Sequence, residues 1–484
     1  MNINAISLQL KTRCVMSEYL LSIAGQQVVG KKTINVINPA TEQVLATCSV
    51  ADEEQLDQAV AAASKVQRHW ANMSQPFRSG RLLQFANAIE ARSDELAKLL
   101  TNEQGKPLTE SRLEIAGAVA VIKFYATQEL PIVVLEENEN GRILEQRVPL
   151  GVVAAITPWN FPVILLAMKI APALIVGNAI VAKPSPYTPL TTTVIGKIAN
   201  AIFPPGVLNV IVDNNDLGVK LTSHPLVNKI SFTGSTETGR RVMGSAAASL
   251  KRLTLELGGN DAAIVLEDVD VEATAEKIFA ASMFNAGQVC LATKRVYAHR
   301  SVYAALCAAL AKLAKSAVVG DGTEPNVTMG PVQNRAQFEK VLSLIESAKS
   351  AGSVLAGGDR LDRPGYFIQP TIVADLPNDA PLVMQEQFGP VLPILPFDDV
   401  NDAIEWTNAS ELGLGGVIWS KDTNRALDVA LKIGSGIVWI NKFLEIPFTV
   451  PFGGAKQSGI GREQGIEGMK EFTQAKIINM AIGG

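Results

Sequence analysis

Residues 227–239 read Val227-Asn228-Lys229-Ile230-Ser231-Phe232-Thr233-Gly234-Ser235-Thr236-Glu237-Thr238-Gly239. The run 227–232 is short and β-rich, and it passes through a glycine-bearing turn straight into a helical pattern over 236–249. The same alternation extends outward from it: strand 179–183, helix 191–202, strand 207–212, helix 217–223 before it, and strand 262–265 after it. This predicts a mostly parallel, doubly wound α/β sheet covered by helices, with ligands at the carboxyl ends of its strands.

A second alternating series follows: helix 271–284, strand 295–299, helix 302–316, and later strands 416–419 and 436–440, enough for a second α/β lobe. Ahead of both, 53–100 is Ala-rich with apolar residues three and four apart, as in Leu56, Val60 and Ala63, which predicts an all-helical layer. Residues 141–156 read as strand. No repeat or low-complexity linker separates these parts, so the lobes are expected to pack against each other.

At 484 residues the chain is long enough for two or more domains. With 47% hydrophobic and 19% charged residues it is expected to pack rather than stay solvated. A net charge of -4 and no Lys/Arg run argue against nucleic acid as a partner. No apolar stretch approaches the ~20 residues that span a bilayer. Cys14, Cys48, Cys290 and Cys307 share no paired or Cys/His spacing, so neither a disulfide scaffold nor a metal site is expected, and a reducing, cytoplasmic compartment is. Residues 1–15 read as a loose N-terminal extension.

Four segments carry chemistry. Cys290 follows Gly287-Gln288-Val289; a lone cysteine is either a buried small hydrophobe or a nucleophile. Glu256 stands in an apolar run ending on Gly258-Gly259, which makes it a paired structural ion or a base whose pKa burial raises. His69, His224 and His299 lie in no distinctive context, leaving a carboxylate as the plausible base. In Pro158-Trp159-Asn160-Phe161-Pro162, Asn160 is a turn cap or a donor to a developing oxyanion. The turn 232–239 opens a helix whose N–H groups suit a phosphate, although glycine there also has a purely steric use.

In this order, together with Lys183-Pro184-Ser185, Glu386-Gln387-Phe388-Gly389-Pro390 and Pro451-Phe452-Gly453-Gly454-Ala455-Lys456-Gln457-Ser458-Gly459, these segments resemble the aldehyde dehydrogenase superfamily over nearly the whole chain after the first fifteen residues. The resemblance implies two doubly wound α/β domains and a small β oligomerisation arm. Residues 16–130 and 150–257 would bind the cofactor, 258–457 would form the catalytic domain, and 131–149 with 474–484 the arm. Strand 476–480 would pair with a neighbour's sheet edge in a homodimer or homotetramer.

Carried over onto matching residues, Cys290 would be the nucleophile, Asn160 with the Cys290 N–H the oxyanion hole, and Glu256 the activator of the hydrolytic water. Lys169 and Glu463 would orient groups or relay protons around that base, or simply form an ion pair. Ile156, Trp159, Lys183, Ser185, Gly234, Ser235, Leu257, Glu386 and Phe388 would hold NAD or NADP. Where the family often has Glu after Lys-Pro-Ser, this chain has Pro186, so NADP is expected to be tolerated. Phe161, Leu165, Phe284, Val289, Leu291, Ile446 and Phe452 would line an apolar tunnel for an aliphatic or aromatic aldehyde. The rival readings are a coenzyme A-acylating dehydrogenase, which commonly lacks the glutamate, and a non-enzymatic protein keeping the fold.

Overall fold

The computed structural model describes residues 19–481. Its centre is an eight-stranded sheet whose parallel strands run in the order Leu208–Val210, Ala179–Lys183, Val152–Ile156, Lys229–Thr233, Arg252–Glu256. Leu21–Ile23 and Gln26–Val28 extend one edge and Gly459–Ile460 closes the other, all antiparallel. After Val152–Ile156 the chain winds outward one way and then returns to add Lys229–Thr233 on the other side. The order therefore reverses beside Val152–Ile156, and a crevice opens there at the strand ends.

Strand alternation explains the two helical layers. Val153, Ala155, Ile180 and Ala182 face helices Gln75–Glu90, Leu108–Ala126 and Pro162–Ile175. Val152, Ala154, Ala179, Val181 and Ile230 face Leu56, Ala59, Val60 and Ala63 of helix Glu53–Asn72. The helical run expected over 53–100 is divided by local chemistry. Asp52 and Gln55 form a capping box, and Ser74 caps the next helix with Pro76 in its first turn.

The second sheet has seven strands, in the order Ser353–Ala356, Thr371–Ala374, Val391–Phe397, Arg295–His299, Ala262–Val265, Gly415–Trp419, Ile437–Ile440. All of its pairings are parallel except the first. Helices Val271–Met283 and Arg300–Ser316 cover one face, and Arg335–Ala351, Val400–Asn408 and Thr423–Ala430 the other.

Strand 262–265 was expected to continue the first series, but it lies in the middle of this second sheet. The strand that follows helix Thr236–Ala247 in the first sheet is Arg252–Glu256, whose Arg, Thr and Glu hide its apolar signal. Strands Lys32–Asn38 and Gln43–Val50, a two-stranded sheet, had no counterpart in the sequence reading. The third component is a ribbon of Thr473–Ala481, Gly141–Pro149 and Val133–Asn138. Thr473–Ala481 pairs with Gly141–Pro149 of its own chain over nine residues from Thr473↔Pro149 to Ala481↔Gly141, and it forms one edge of the ribbon. The expected extension 1–15 lies outside the described residues. Among the described residues no helix is long and apolar enough to cross a membrane, and no cluster of His, Cys, Asp and Glu could hold a metal ion.

Candidate active site

Cys290 lies where the two sheets meet. The short 3-10 helix Phe284–Gly287 precedes it, and Asn285, Ala286 and Gly287 are all left-handed, with φ of 50°, 53° and 72°. Three such residues in succession are costly, and such strain gathers where a side chain must be aimed. Gly287 also has no room for a side chain, since a Cβ would stand 2.3 Å from the Gly389 carbonyl oxygen. Gly259 plays the complementary part: a Cβ there would stand 2.4 Å from the Cys290 carbonyl oxygen, so glycine lets the Glu256 segment close onto the cysteine.

The Asn160 side-chain NH₂ donates to the Gln288 carbonyl at 2.9 Å, tying the 158–162 segment to the approach to Cys290. Beneath it is a buried network. Lys106 Nζ donates to Glu114 at 2.6 Å and to the Asn160 carbonyl at 2.7 Å, and sits 3.7 Å from the centroid of the Phe161 ring. Glu114 in turn accepts the Val163 N–H at the start of helix Pro162–Ile175. Asn285 donates to the Asn160 carbonyl at 3.1 Å and accepts from Gln104 at 3.0 Å. Glu110 accepts the Asn285 N–H, and burial pushes its carboxyl up to about 7.

Glu256 ends its strand, 4% exposed, and its Oε1 meets no hydrogen-bonding partner. Burial and the neighbouring Glu463 raise its carboxyl well above the ordinary glutamate range, against the pull of Lys169 and Arg462. Lys169 and Glu463 form a buried ion pair at 2.6 Å, so the simpler of the two expectations for them is met in full. Lys169 also donates to Thr233 at 2.7 Å and Ser231 at 3.3 Å. Those residues, with Lys229, are the alternate positions of Lys229–Thr233 that turn toward helix Pro162–Ile175.

The expected tunnel residues converge in one cluster. Val289, Leu291 and Phe452 are buried in it, with Phe161, Phe284, Ile446 and Cys290 packed against it. Phe161 and Phe284 stack at 5.8 Å. Leu165 is only half-buried and is not part of that cluster.

Along the crevice, the Thr157 N–H donates to the Lys183 carbonyl, and Ile156 and Leu257 are buried in the first domain's core. Gly234 precedes Ser235, which caps helix Thr236–Ala247 by accepting the Thr238 N–H. Ser185 accepts from the Tyr187 N–H. Glu386 accepts the Gly259 N–H at 3.0 Å, and the ring of Phe388 meets Trp159 edge-on at 5.4 Å. A capped helix N-terminus, a Lys at a strand end, and a carboxylate beside an aromatic ring are groups that suit a dinucleotide: N–H donors for a diphosphate, an ammonium donor and a carboxylate acceptor for ribose hydroxyls, and a flat face for a ring.

The sequence reading missed several residues. Lys294, fully buried, donates to the carbonyls of Val289 at 2.7 Å and Cys290 at 3.0 Å and lies 3.5 Å from Glu386. Asp261, held up to about 7 by burial, accepts the Gly415 N–H. Glu110 and Glu114 were also missed, because charged residues on helices ordinarily face water, and so was Lys106, in the Gly105-Lys106-Pro107 link just before helix Leu108–Ala126. Lys294 had a faint signal, being a Lys-Arg pair at the opening of a buried strand. Burial pushes the Cys290 thiol up to about 12, while Lys294 opposes the rise.

The family model described as "Aldehyde dehydrogenase family" matches residues 27–478. A Pseudomonas protein named "Probable aldehyde dehydrogenase" is 43% identical over 469 residues, 96% of this chain and 94% of its own. The NAD+ complex of an aldehyde dehydrogenase from Bacillus cereus superposes with a TM-score of 0.94 at 36% identity, covering 98% of this chain and 99% of that one. Betaine aldehyde dehydrogenase from Staphylococcus aureus in complex with NAD+ gives 0.92 at 33% identity over 96% and 94%. Sequence likeness and fold agree from end to end: the chain belongs to the aldehyde dehydrogenase family, enzymes that oxidise aldehydes with NAD(P).

Proposed function

We propose that this enzyme converts an apolar aliphatic or aromatic aldehyde to its carboxylic acid through a thioester on Cys290. The observation that carries the reading is the pairing of a partly exposed Cys290 with a buried Glu256 that has one carboxylate oxygen free. Cys290 passes its thiol proton to solvent water, its Sγ adds to the aldehyde carbonyl carbon, and the Asn160 NH₂ and the Cys290 N–H stabilise the resulting oxyanion. To do so, Asn160 exchanges its bond to the Gln288 carbonyl for one to the oxyanion. Glu386 and Phe388, with the Ser235 turn, would hold an oxidised nicotinamide nucleotide, which when bound would supply the acceptor for the hydride lost as the adduct becomes a thioester. Glu256 then takes a proton from water, the hydroxide adds to the acyl carbon, and the C–S bond breaks to release the acid. Its raised pKa makes Glu256 a stronger base than an exposed carboxylate. The Lys169–Glu463 pair tunes it.

Phe161, Phe284, Val289, Leu291, Ile446 and Phe452 are all apolar or aromatic, and Lys106 behind Phe161 is already paired with Glu114, which favours an aldehyde without a second carboxylate. Ile132, Val133, Val134 and Leu135 are exposed along the ribbon, as are Ile477 and Met480, which suits burial against a second copy of the chain. The test is NADH and NADPH formation with a panel of aldehydes and a Cys290→Ala control. Turnover with apolar aldehydes that vanishes in the variant is expected; highest efficiency on succinic semialdehyde would refute the substrate reading, and activity surviving in the variant the mechanism.

A further inference from the structure

Lys183 ends one parallel strand, and Asp213 lies three residues beyond the end of the next, Leu208–Val210, so both stand on the same rim of the first sheet. Lys183 Nζ and an Asp213 carboxylate oxygen are 2.6 Å apart, and both side chains are nearly inaccessible, at 7% and 0% exposure. The other Asp213 oxygen accepts the Leu217 N–H at 3.0 Å, which fixes the carboxylate in place. Pro186, close by in sequence, offers a ligand neither donor nor acceptor from its side chain.

Strand order gives the direction in which a dinucleotide lies. Glu256 and Cys290 are at the Arg252–Glu256 end, and the Gly234–Ser235 turn follows the neighbouring strand. Continuing away from Cys290 along the strand ends leads past Ile156 to Lys183 and Asp213. A nucleotide with its reactive ring at Cys290 and its diphosphate on the turn therefore brings its second ribose, the adenosine ribose, to the Lys183–Asp213 pair.

We propose that Asp213 selects NAD over NADP in this enzyme, supplying from the adjacent strand end the carboxylate that position 186 lacks. Lys183, the member of the pair with exposed surface, donates to a ribose hydroxyl, while the inaccessible Asp213 acts through its charge and not by touching the ribose. A 2′-phosphate there carries close to two negative charges into the field of Asp213, and the adjacent cation Lys183 is already neutralised by that same carboxylate. This proposal stands against the NADP tolerance expected from Pro186 alone, and the wild-type affinity ratio decides between them. This inference rests on the dinucleotide reading of the crevice.

The test is binding of NAD and NADP to the full-length protein without aldehyde, followed by calorimetry or tryptophan fluorescence, in wild type, Asp213→Asn and Asp213→Glu. Wild type is expected to bind NAD at least roughly tenfold more tightly than NADP. Asp213→Asn should bring the two constants within about threefold, mainly by tightening NADP, whose phosphate then meets an unopposed Lys183, and Asp213→Glu should keep a preference for NAD. Equal wild-type affinities, or an unchanged ratio in Asp213→Asn, would overturn the assignment while leaving the dinucleotide reading intact. Failure of wild type to bind either nucleotide would overturn both. Because the wild-type ratio is itself decisive, an unstable variant does not protect the proposal.

Discussion

The buried charges behind Asn160 and those around Glu256 are built differently. Behind Asn160, Lys106 has Glu114 and a carbonyl as partners and lies on an aromatic ring, while Glu114 also caps a helix. Around Glu256, two carboxylates share the field of Lys169, which bonds to Glu463 and leaves a Glu256 oxygen without a partner. A satisfied network fixes geometry, because each member is worth most where it stands. An unsatisfied carboxylate is destabilising, and that same deficit makes it ready to take a proton. The first cluster aims the amide; the second keeps a base in reserve.

The sharpest way to break this contrast is Glu256→Gln. It should lower steady-state turnover by roughly 10²–10⁴-fold. It should also raise thermal stability, since the buried carboxyl favours the fold only while protonated, and that contribution is lost as pH rises through its raised pKa. The gain should therefore be larger at pH 8 than at pH 5, which melting curves at the two pH values would check; a stability loss at pH 8 would place Glu256 among the satisfied charges instead.

Asn160→Ala should lower kcat by about 10²–10³-fold with a smaller effect on KM, as expected for a donor whose partner becomes charged only during reaction. Lys106→Met probes aim without touching the reacting atoms. Leaving Glu114 buried without its partner should cost about 3–5 kcal/mol of stability, read by denaturant unfolding, and kcat should fall roughly tenfold or more as Asn160 loosens. An unchanged kcat in a folded variant would make Lys106 purely structural. The smallest effect on turnover is expected from Lys169→Met, although leaving Glu463 buried without its partner should cost about 3–5 kcal/mol of stability, as in Lys106→Met. With its attraction gone, the Glu256 carboxyl should rise further, so the acid limb of the pH profile of kcat should move to higher pH; a shift to lower pH would show that Lys169 does not act on the base.

These two clusters also show what was legible in the sequence. Cys290, Glu256 and Asn160 stand in glycine- or proline-marked segments, and those breaks in periodicity are visible without a structure. Glu110 and Glu114 sit on helix Leu108–Ala126, where charge normally means solvent, and only the packing of that helix against Pro162–Ile175 reveals Glu114 as buried and Glu110 as partly so; Lys106, between Gly105 and Pro107 just ahead of it, stood in a marked segment and still went unread. Lys229-Ile230-Ser231-Phe232-Thr233 alternates polar and apolar like a strand with one wet face, yet both faces are buried. Its polar side chains serve Lys169 and Thr254 rather than water. Asp213 follows a β-rich run and looks like any turn residue; its pairing with Lys183 depends on strand order, which no local pattern contains. Alternation predicted the parallel sheets well, whereas Arg252–Glu256, with three polar residues in five, was hidden for the same reason that it is functional.

The mechanism turns on a thioester on Cys290 that Glu256 is needed to hydrolyse. It is tested by intact-protein and peptide mass spectrometry of Glu256→Gln after mixing with cofactor and an apolar aldehyde such as benzaldehyde. A burst of about one equivalent of reduced cofactor per site and an acyl adduct confined to Cys290 are expected. Steady turnover near the wild-type rate with no adduct, or an adduct on another residue, would contradict the mechanism.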